Sequence, residues 1–205
     1  MKNVMATGMI LLLAGAVLAD TCPSSFGLES NGGKAWLGVN AAGYVAGEGQ
    51  SFVSECGGKL ASVAFQVILD GQTYNAAPPL TANSLLLCSI RIPGVMTIGT
   101  VTRSVGFALG TEWVEFDFSG LALDLQPGLT YLITCAPAGS GQGRLGYWQN
   151  EDAYADGVRY LSAGGDNGPW TAIDASYGDL AFRITLDIPT PAEDMTWSTV
   201  KRLYR

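Results

Sequence analysis

Residues 110–135, GTEWVEFDFSGLALDLQPGLTYLITC, decide the fold. Val114, Phe116 and Phe118 fall on one side of an extended chain, and Trp113, Glu115 and Asp117 fall on the other. Strict alternation of apolar and polar residues marks a half-buried β-strand. Pro127-Gly128 supplies a turn. Tyr131, Ile133 and Cys135 then share one face of a second strand. The stretch reads strand, turn, strand, in the manner of a hairpin at the centre of a core.

The same alternation extends outward. In KLASVAFQVIL (59–69), Ala61, Val63, Phe65 and Val67 share a face. In LLLCSIRI (85–92) the start is apolar on both faces, which suits a central strand covered on both sides. In DLAFRITL (179–186), Leu180, Phe182, Ile184 and Leu186 point inward. Trp36–Val39, Leu145–Gln149 and Val158–Ser162 read as short strands, Gln50–Ser54 as an edge strand, and 95–110 as a loop. Turn signals such as Asp70-Gly71 and Pro93-Gly94 separate these runs, and the body shows no helical period. The expected fold is all-β, a jelly-roll-like antiparallel β-sandwich over residues 20–188.

The two ends read differently. Lys2 is the only charge before Asp20, and an apolar run from Met5 to Ala19 ends in the small residues Val17 and Ala19. That pattern predicts a signal peptide, residues 1–19, cut after Ala19. The competing reading is an uncleaved anchor, for which the run is at the short limit of about 17–25 residues. No later run is long enough to span a bilayer, so no membrane span is expected after cleavage. Residues 189–205 form a proline linker and a tail. Glu193 and Asp194 precede Thr196, and Lys201, Arg202 and Arg205 follow it. This polarity suits a short C-terminal helix, with Trp197, Val200 and Tyr204 on one face. Alone it is too short to be stable, so it needs a surface to dock on. That surface is either its own domain or a neighbour, through which the chain would self-assemble.

Charge narrows the partners. The chain has 18 Asp plus Glu against 11 Lys plus Arg, a net charge of −7. It has no basic cluster before its last residues, so phosphate-neutralising contact with nucleic acid is not expected. The 27 glycines suit a fold with many turns.

Four cysteines follow the signal: Cys22, Cys56, Cys88 and Cys135. An even count in an exported chain favours two disulfides. Cys88 and Cys135 both fall on apolar faces, so Cys88–Cys135 with Cys22–Cys56 is the favoured pairing. Buried free thiols at Cys88 and Cys135 are the alternative.

The chain has no histidine. It therefore has no Ser-His-Asp or Cys-His system and no His-ligated metal. Neither GxSxG nor a P-loop occurs. No catalytic residue is assigned. Glu112, Glu115, Asp117 and Glu151 leave open a carboxylate pair for glycoside hydrolysis, the least favoured reading. Binding is the sharper one. Trp113 shares a strand face with Glu115 and Asp117, and Tyr147, Trp148, Tyr154, Tyr160 and Trp170 gather after Cys135. Flat aromatics stack on the apolar faces of sugar rings while carboxylates accept bonds from hydroxyls. The competing role for these rings is to cap the open ends of the sandwich. Asn150, Glu151, Asp152 and Asp156 lie in one turn and Asp166 in another. These oxygen ligands suit calcium, though their spacing is not that of an EF-hand.

Several segments in order carry a family resemblance: GEGQSF (47–52), LASVAFQV (60–67), LLLCSIRIPG (85–94), TEWVEFDFSG (111–120), LDLQPGLTYLIT (123–134), DAYADGVRYLSAGG (152–165) and DLAFRI (179–184). Over about residues 47–187 the chain resembles the choice-of-anchor jelly-roll domains of secreted and surface proteins of bacteria, which are similar in architecture to carbohydrate-binding modules. The resemblance implies a non-catalytic module outside the cell, without implying one ligand. LDLQPGLTY also resembles the tyrosine corner of fibronectin type III domains, in which Tyr131 would bond back to the chain upstream. TWSTVKRLYR (196–205), with Trp197, Lys201, Tyr204 and Arg205, resembles short sorting tails of exported bacterial proteins. The expected function is cell-surface adhesion or carbohydrate binding. The alternative is a structural subunit of an extracellular layer or filament, whose partner is another surface protein.

Overall fold

The computed structural model describes residues 23–29, 35–39, 45–69, 84–105, 110–138, 142–145 and 153–188. The expected signal segment and the tail at 189–205 lie outside them. The strands in chain order are β1 (Ser25–Leu28), β2 (Ala35–Val39), β3 (Val45–Val53), β4 (Gly58–Leu69), β5 (Ser84–Ile92), β6 (Met96–Val105), β7 (Gly110–Asp117), β8 (Asp124–Leu125), β9 (Thr130–Pro137), β10 (Gln142–Leu145), β11 (Arg159–Ser162), β12 (Thr171–Ala172) and β13 (Phe182–Asp187). Among the described residues the only helical pieces are three short 3-10 turns. The fold is all-β, as the alternation predicts.

The strands form two antiparallel sheets in a sandwich-like arrangement. In the first, β4 lies between β13 and β7, and β1 borders β13. β8 and β10 pair with the two ends of β4, and β2 joins β10. In the second, β9 lies between β3 and β5; β6 borders β5, and β11 with β12 borders β3. β3 connects the sheets, with Val45 and Ala46 on β2 and Glu48–Val53 on β9.

The inward positions meet in one core. Val63, Phe65, Val114, Phe116, Phe182 and Ile184 come from the first sheet, and Phe52, Leu86, Ile90, Tyr131 and Ile133 from the second. Phe52 joins the two sheets, with its ring 6.3 Å from Phe182 and 5.8 Å from Tyr131. Each fully buried large side chain contributes about 2 kcal/mol through the apolar surface it removes from water.

The deciding stretch is not a hairpin. β7 pairs with β4 in the first sheet, while β9 pairs with β3 and β5 in the second. Residues 118–129 carry the chain across the sandwich. Phe118 is buried and its N–H donates to Ala61 O (2.8 Å). Gly128 takes a left-handed φ of 75° and its N–H donates to Ser54 O (2.7 Å). Tyr131 does bond back upstream: Gln126 N–H donates to its hydroxyl oxygen at 2.8 Å. That bond pins the crossing.

Other strand readings are also corrected. Residues 96–105 are a strand, β6, in a hairpin with β5 through Gly94 at φ 71°. Gln50–Val53 belongs to β3, an interior strand instead of an edge, and Ser54 follows its end. Ala61 does not share the inward face. The register shifts between Thr185 and Leu186, which brings Leu60 inward instead. The expected Cys88–Cys135 disulfide is replaced by two free, buried thiols, although the residues stand directly opposite each other on β5 and β9. Burial pushes the Cys88 thiol well up from its ordinary value, with Cys135 and Asp166 adding to the effect. Burial also pushes the Cys135 thiol up. A proton-bearing thiol packs as a small apolar group, so the pair needs no bond to be stable in the core. Cys56 is disulfide-bonded, and its expected partner, Cys22, lies outside the described residues.

Some of the sheet edges among the described residues are short or irregular. β1 has four residues and β12 two. β6 carries a register irregularity opposite Ile90/Arg91, and Arg103 on β6 donates to the Glu115 carbonyl on β7. Short, bulged or side-chain-capped edges resist strand addition by other chains.

Candidate functional site

The outer face of the first sheet is built from a cross-strand row. Gly27, Arg183, Ala64 and Glu115 stand abreast on β1, β13, β4 and β7. Ser62 faces Asp117 one step along, and Gln66 faces Trp113 one step the other way. Alternation aims these residues outward, because Val63, Phe65, Val114 and Phe116 are taken by the core. Trp113 and Arg183 are therefore diagonal neighbours across β4. Ala64 is small enough to let them meet. The Arg183 guanidinium lies over the Trp113 ring at 3.9 Å. Arg183 Nε and Nη2 donate to Glu29 Oε1 at 3.0 and 2.6 Å, fixing the far side of the guanidinium.

Trp113 is half-buried, and Glu115 and Asp117 are exposed beside it. Asp117 Oδ1 accepts from the Ser119 hydroxyl (2.6 Å) and N–H (2.9 Å). Those bonds, the side-chain one first, hold its carboxyl below the usual value. Gln66 Oε1 is buried and has no hydrogen-bond partner. The face thus offers an aromatic ring braced by a cation and two exposed carboxylates.

The second sheet's outer face carries a similar set of residues under cover. Residues 163–172 fold across it. Arg91 Nη2 donates to Asp166 Oδ1 at 2.5 Å, and Ser89 Oγ donates to the same oxygen at 3.1 Å. Trp170 lies over Arg91 at 5.5 Å. Its ring occupies the space above Gly47, where a Cβ would stand 2.7 Å from it. Trp170 Nε1 is buried without a partner.

The remaining expected residues divide as follows. Tyr154 is half-buried and meets Phe182 edge-on at 5.3 Å, so it closes the core. Burial is the main cause of its raised pKa. Tyr160 on β11 faces Gly49 and Ala172 and is half-buried. Asp156 is exposed in a turn. That turn is held by Asp179, whose Oδ2 accepts from the N–H of Ala153 (2.9 Å) and Tyr154 (2.8 Å). Asp166 is engaged by Arg91. Tyr147, Trp148, Asn150, Glu151 and Asp152, and the tail residues Trp197, Lys201, Tyr204 and Arg205, lie outside the described residues. No group of three His, Cys, Asp or Glu among the described residues is placed to hold a metal ion. A hollow of about 30 Å³ beside Arg159, Asp174 and Asp179 has room for about one water, not a sugar ring.

Residue-by-residue reading missed Arg183, Glu29 and Gln66. The alternation of DLAFRITL already turns Arg183 outward, but its meeting with Trp113 depends on pairing between distant strands. It also missed the buried polar anchors. Arg159 donates to both Glu48 carboxylate oxygens (3.0 and 3.1 Å), and Gln50 donates to Asp179 (2.9 Å). Compared with known proteins, the chain matches no protein-family model and no curated sequence. No helix among the described residues is long and apolar enough to cross a membrane.

Proposed function

We propose that this chain is an exported, non-catalytic β-sandwich module of the bacterial cell surface that acts in adhesion by binding carbohydrate. Its contact surface is the outer face of the first sheet. The observation that carries the reading is the half-buried Trp113 on an open strand face, braced by Arg183 and flanked by exposed Glu115. Arg183 covers one face of the ring, so the C–H face of a sugar would stack on the other, and neighbouring carboxylates would take its hydroxyl protons. Hydrolysis is disfavoured because it requires carboxylates on opposite sides of the scissile bond, whereas Glu115 and Asp117 project side by side from one strand.

The test is a broad glycan array probed with the purified mature protein, with and without calcium, beside Trp113→Ala. Binding that Trp113→Ala removes without altering the unfolding transition supports the reading. No binding to any glycan, or binding indifferent to Trp113→Ala, sinks it. Release of sugar products would move the protein to the enzymes.

A further inference from the structure

The end of the sandwich at which the chain leaves β13 is apolar and exposed. Lys59 pairs with both Asp187 and Asp124 there, and Ile92 pairs with Met96. Residues 54–57 join β3 to β4 at this end. Leu121 and Leu123 reach from the crossing after β7 onto Gly99 of β6, where a Cβ would stand 3.2 and 2.5 Å from their methyl carbons. Val95 and Met96, at the tip of the β5–β6 hairpin, are 72% and 57% exposed. Leu121 and Leu129 are exposed at the same end. A contiguous apolar patch of this kind marks a contact surface.

We infer that residues 189–205 of the same chain cover this end, with Trp197, Val200 and Tyr204 set against Met96 and Leu121. Reach is the first argument. Ile188 packs against the core where β13 ends. The residues from there to Trp197 span up to about 30 Å, whereas packed sheets stand about 10 Å apart. Pattern is the second. Trp197, Val200 and Tyr204 are spaced three and four apart, an apolar stripe that is too short to hold itself and needs a surface. Charge is the third. Glu55, Asp117, Asp124 and Asp187 are exposed at this end, with Lys59 between the last two. Residues 189–205 bring Lys201, Arg202 and Arg205. Attachment decides between this chain and a neighbour: a segment tethered beside its surface meets it at an effective concentration of about millimolar.

The experiment measures trypsin cleavage after Lys201 and Arg202 in the mature chain, with the isolated peptide 189–205 as the fully open reference. Cleavage follows the open population when opening is fast. The chain should be cut on the order of tenfold more slowly than the peptide, at a rate per chain that does not change with protein concentration. Met96→Asp and Leu121→Asp should each bring the rate toward that of the peptide. Leu85→Asp, an exposed leucine at the opposite end of β5, should leave it slow. A second measurement does not depend on those variants folding. From Asp20 onward the methionines are Met96 and Met195, so methyl-labelled methionine gives two NMR signals, and Trp197→Ala should move the Met96 one. Cleavage at the peptide's rate, or a Met96 signal indifferent to Trp197→Ala, overturns the inference. So does protection that survives both Met96→Asp and Leu121→Asp, or that Leu85→Asp removes equally, because the segment would then lie elsewhere. Protection that grows with protein concentration overturns it in favour of a second copy as the occupant.

Discussion

The two outer faces carry the same three kinds of side chain in different settings. On the first sheet Trp113, Arg183 and Glu29 form an open stack, with the Arg183 and Glu29 side chains 44% and 66% exposed. On the second, Trp170, Arg91 and Asp166 lie under residues 163–172, with the Arg91 and Asp166 side chains 15% and 18% exposed. The closed set is part of the architecture. Asp166 answers Arg91 and Ser89 at once, and Trp170 fills the space that Gly47 leaves. The open set has little to hold together, because water already solvates its charges. Similar chemistry is thus part of the packing where it is dry and faces solvent where it is wet. Exposure, not residue type, separates the two settings.

The sharpest way to break this comparison is to remove each arginine. Arg91→Ala leaves Asp166 partly buried without its cation, and should cost about 2–4 kcal/mol in urea unfolding. Arg183→Ala should cost under about 1 kcal/mol, since an exposed pair and an exposed cation–π contact are worth little. Equal costs would mean that the open stack is also structural, and the carbohydrate reading would lose its main support.

The next effect tests whether the sandwich between the faces is dry. The Cys88 and Cys135 thiols are held above their ordinary pKa by burial. As pH rises, the unfolded chain therefore loses these protons first. Stability is fully present below about pH 8.5 and is lost as pH rises from there through the folded values. The loss is about 1.4 kcal/mol per thiol for each pH unit while the folded thiol stays protonated. Cys88→Ala should reduce that alkaline slope by one thiol's share, at a neutral-pH cost of about 1 kcal/mol. An unchanged slope would show that water reaches the pair.

Legibility in the sequence followed the core. Val114, Phe116, Ile133, Phe182 and Ile184 all face inward as their alternation predicts, because burial on one side of a strand leaves a period of two. The first half of β3 was missed and its end was read as an edge, because Glu48 and Gln50 are polar yet buried. Arg159 and Asp179 answer them from more than a hundred residues away, and no local window contains that information. β6 was missed because Thr100 and Thr102 look outward and the strand alternates weakly. Ala61 was misplaced because a bulge shifts phase without a sequence signal of its own. At the site, Trp113, Glu115 and Asp117 were legible as a strand face. Their relation to Arg183 and Gln66 was not, because register between β7, β4 and β13 sets it.

The smallest expected effect concerns how firmly the open face holds its acids. Ser119 donates twice to Asp117 Oδ1, and the charged carboxylate is the form that accepts both bonds, so its pKa is lowered. The sign follows: the stabilising contribution is present above the ordinary carboxyl value of about 3.9 and is lost as pH falls through the folded one. Asp117 is fully exposed, so the readout is its own titration by carboxyl NMR and not the unfolding midpoint. Ser119→Ala removes the hydroxyl, the larger cause, and should raise the Asp117 pKa toward the ordinary value. Arg91→Ala, on the opposite face, should leave it in place. If Asp117 titrates identically with and without the hydroxyl, the turn does not orient the carboxylate. Its position on the face would then rest on the register with Ser62 alone.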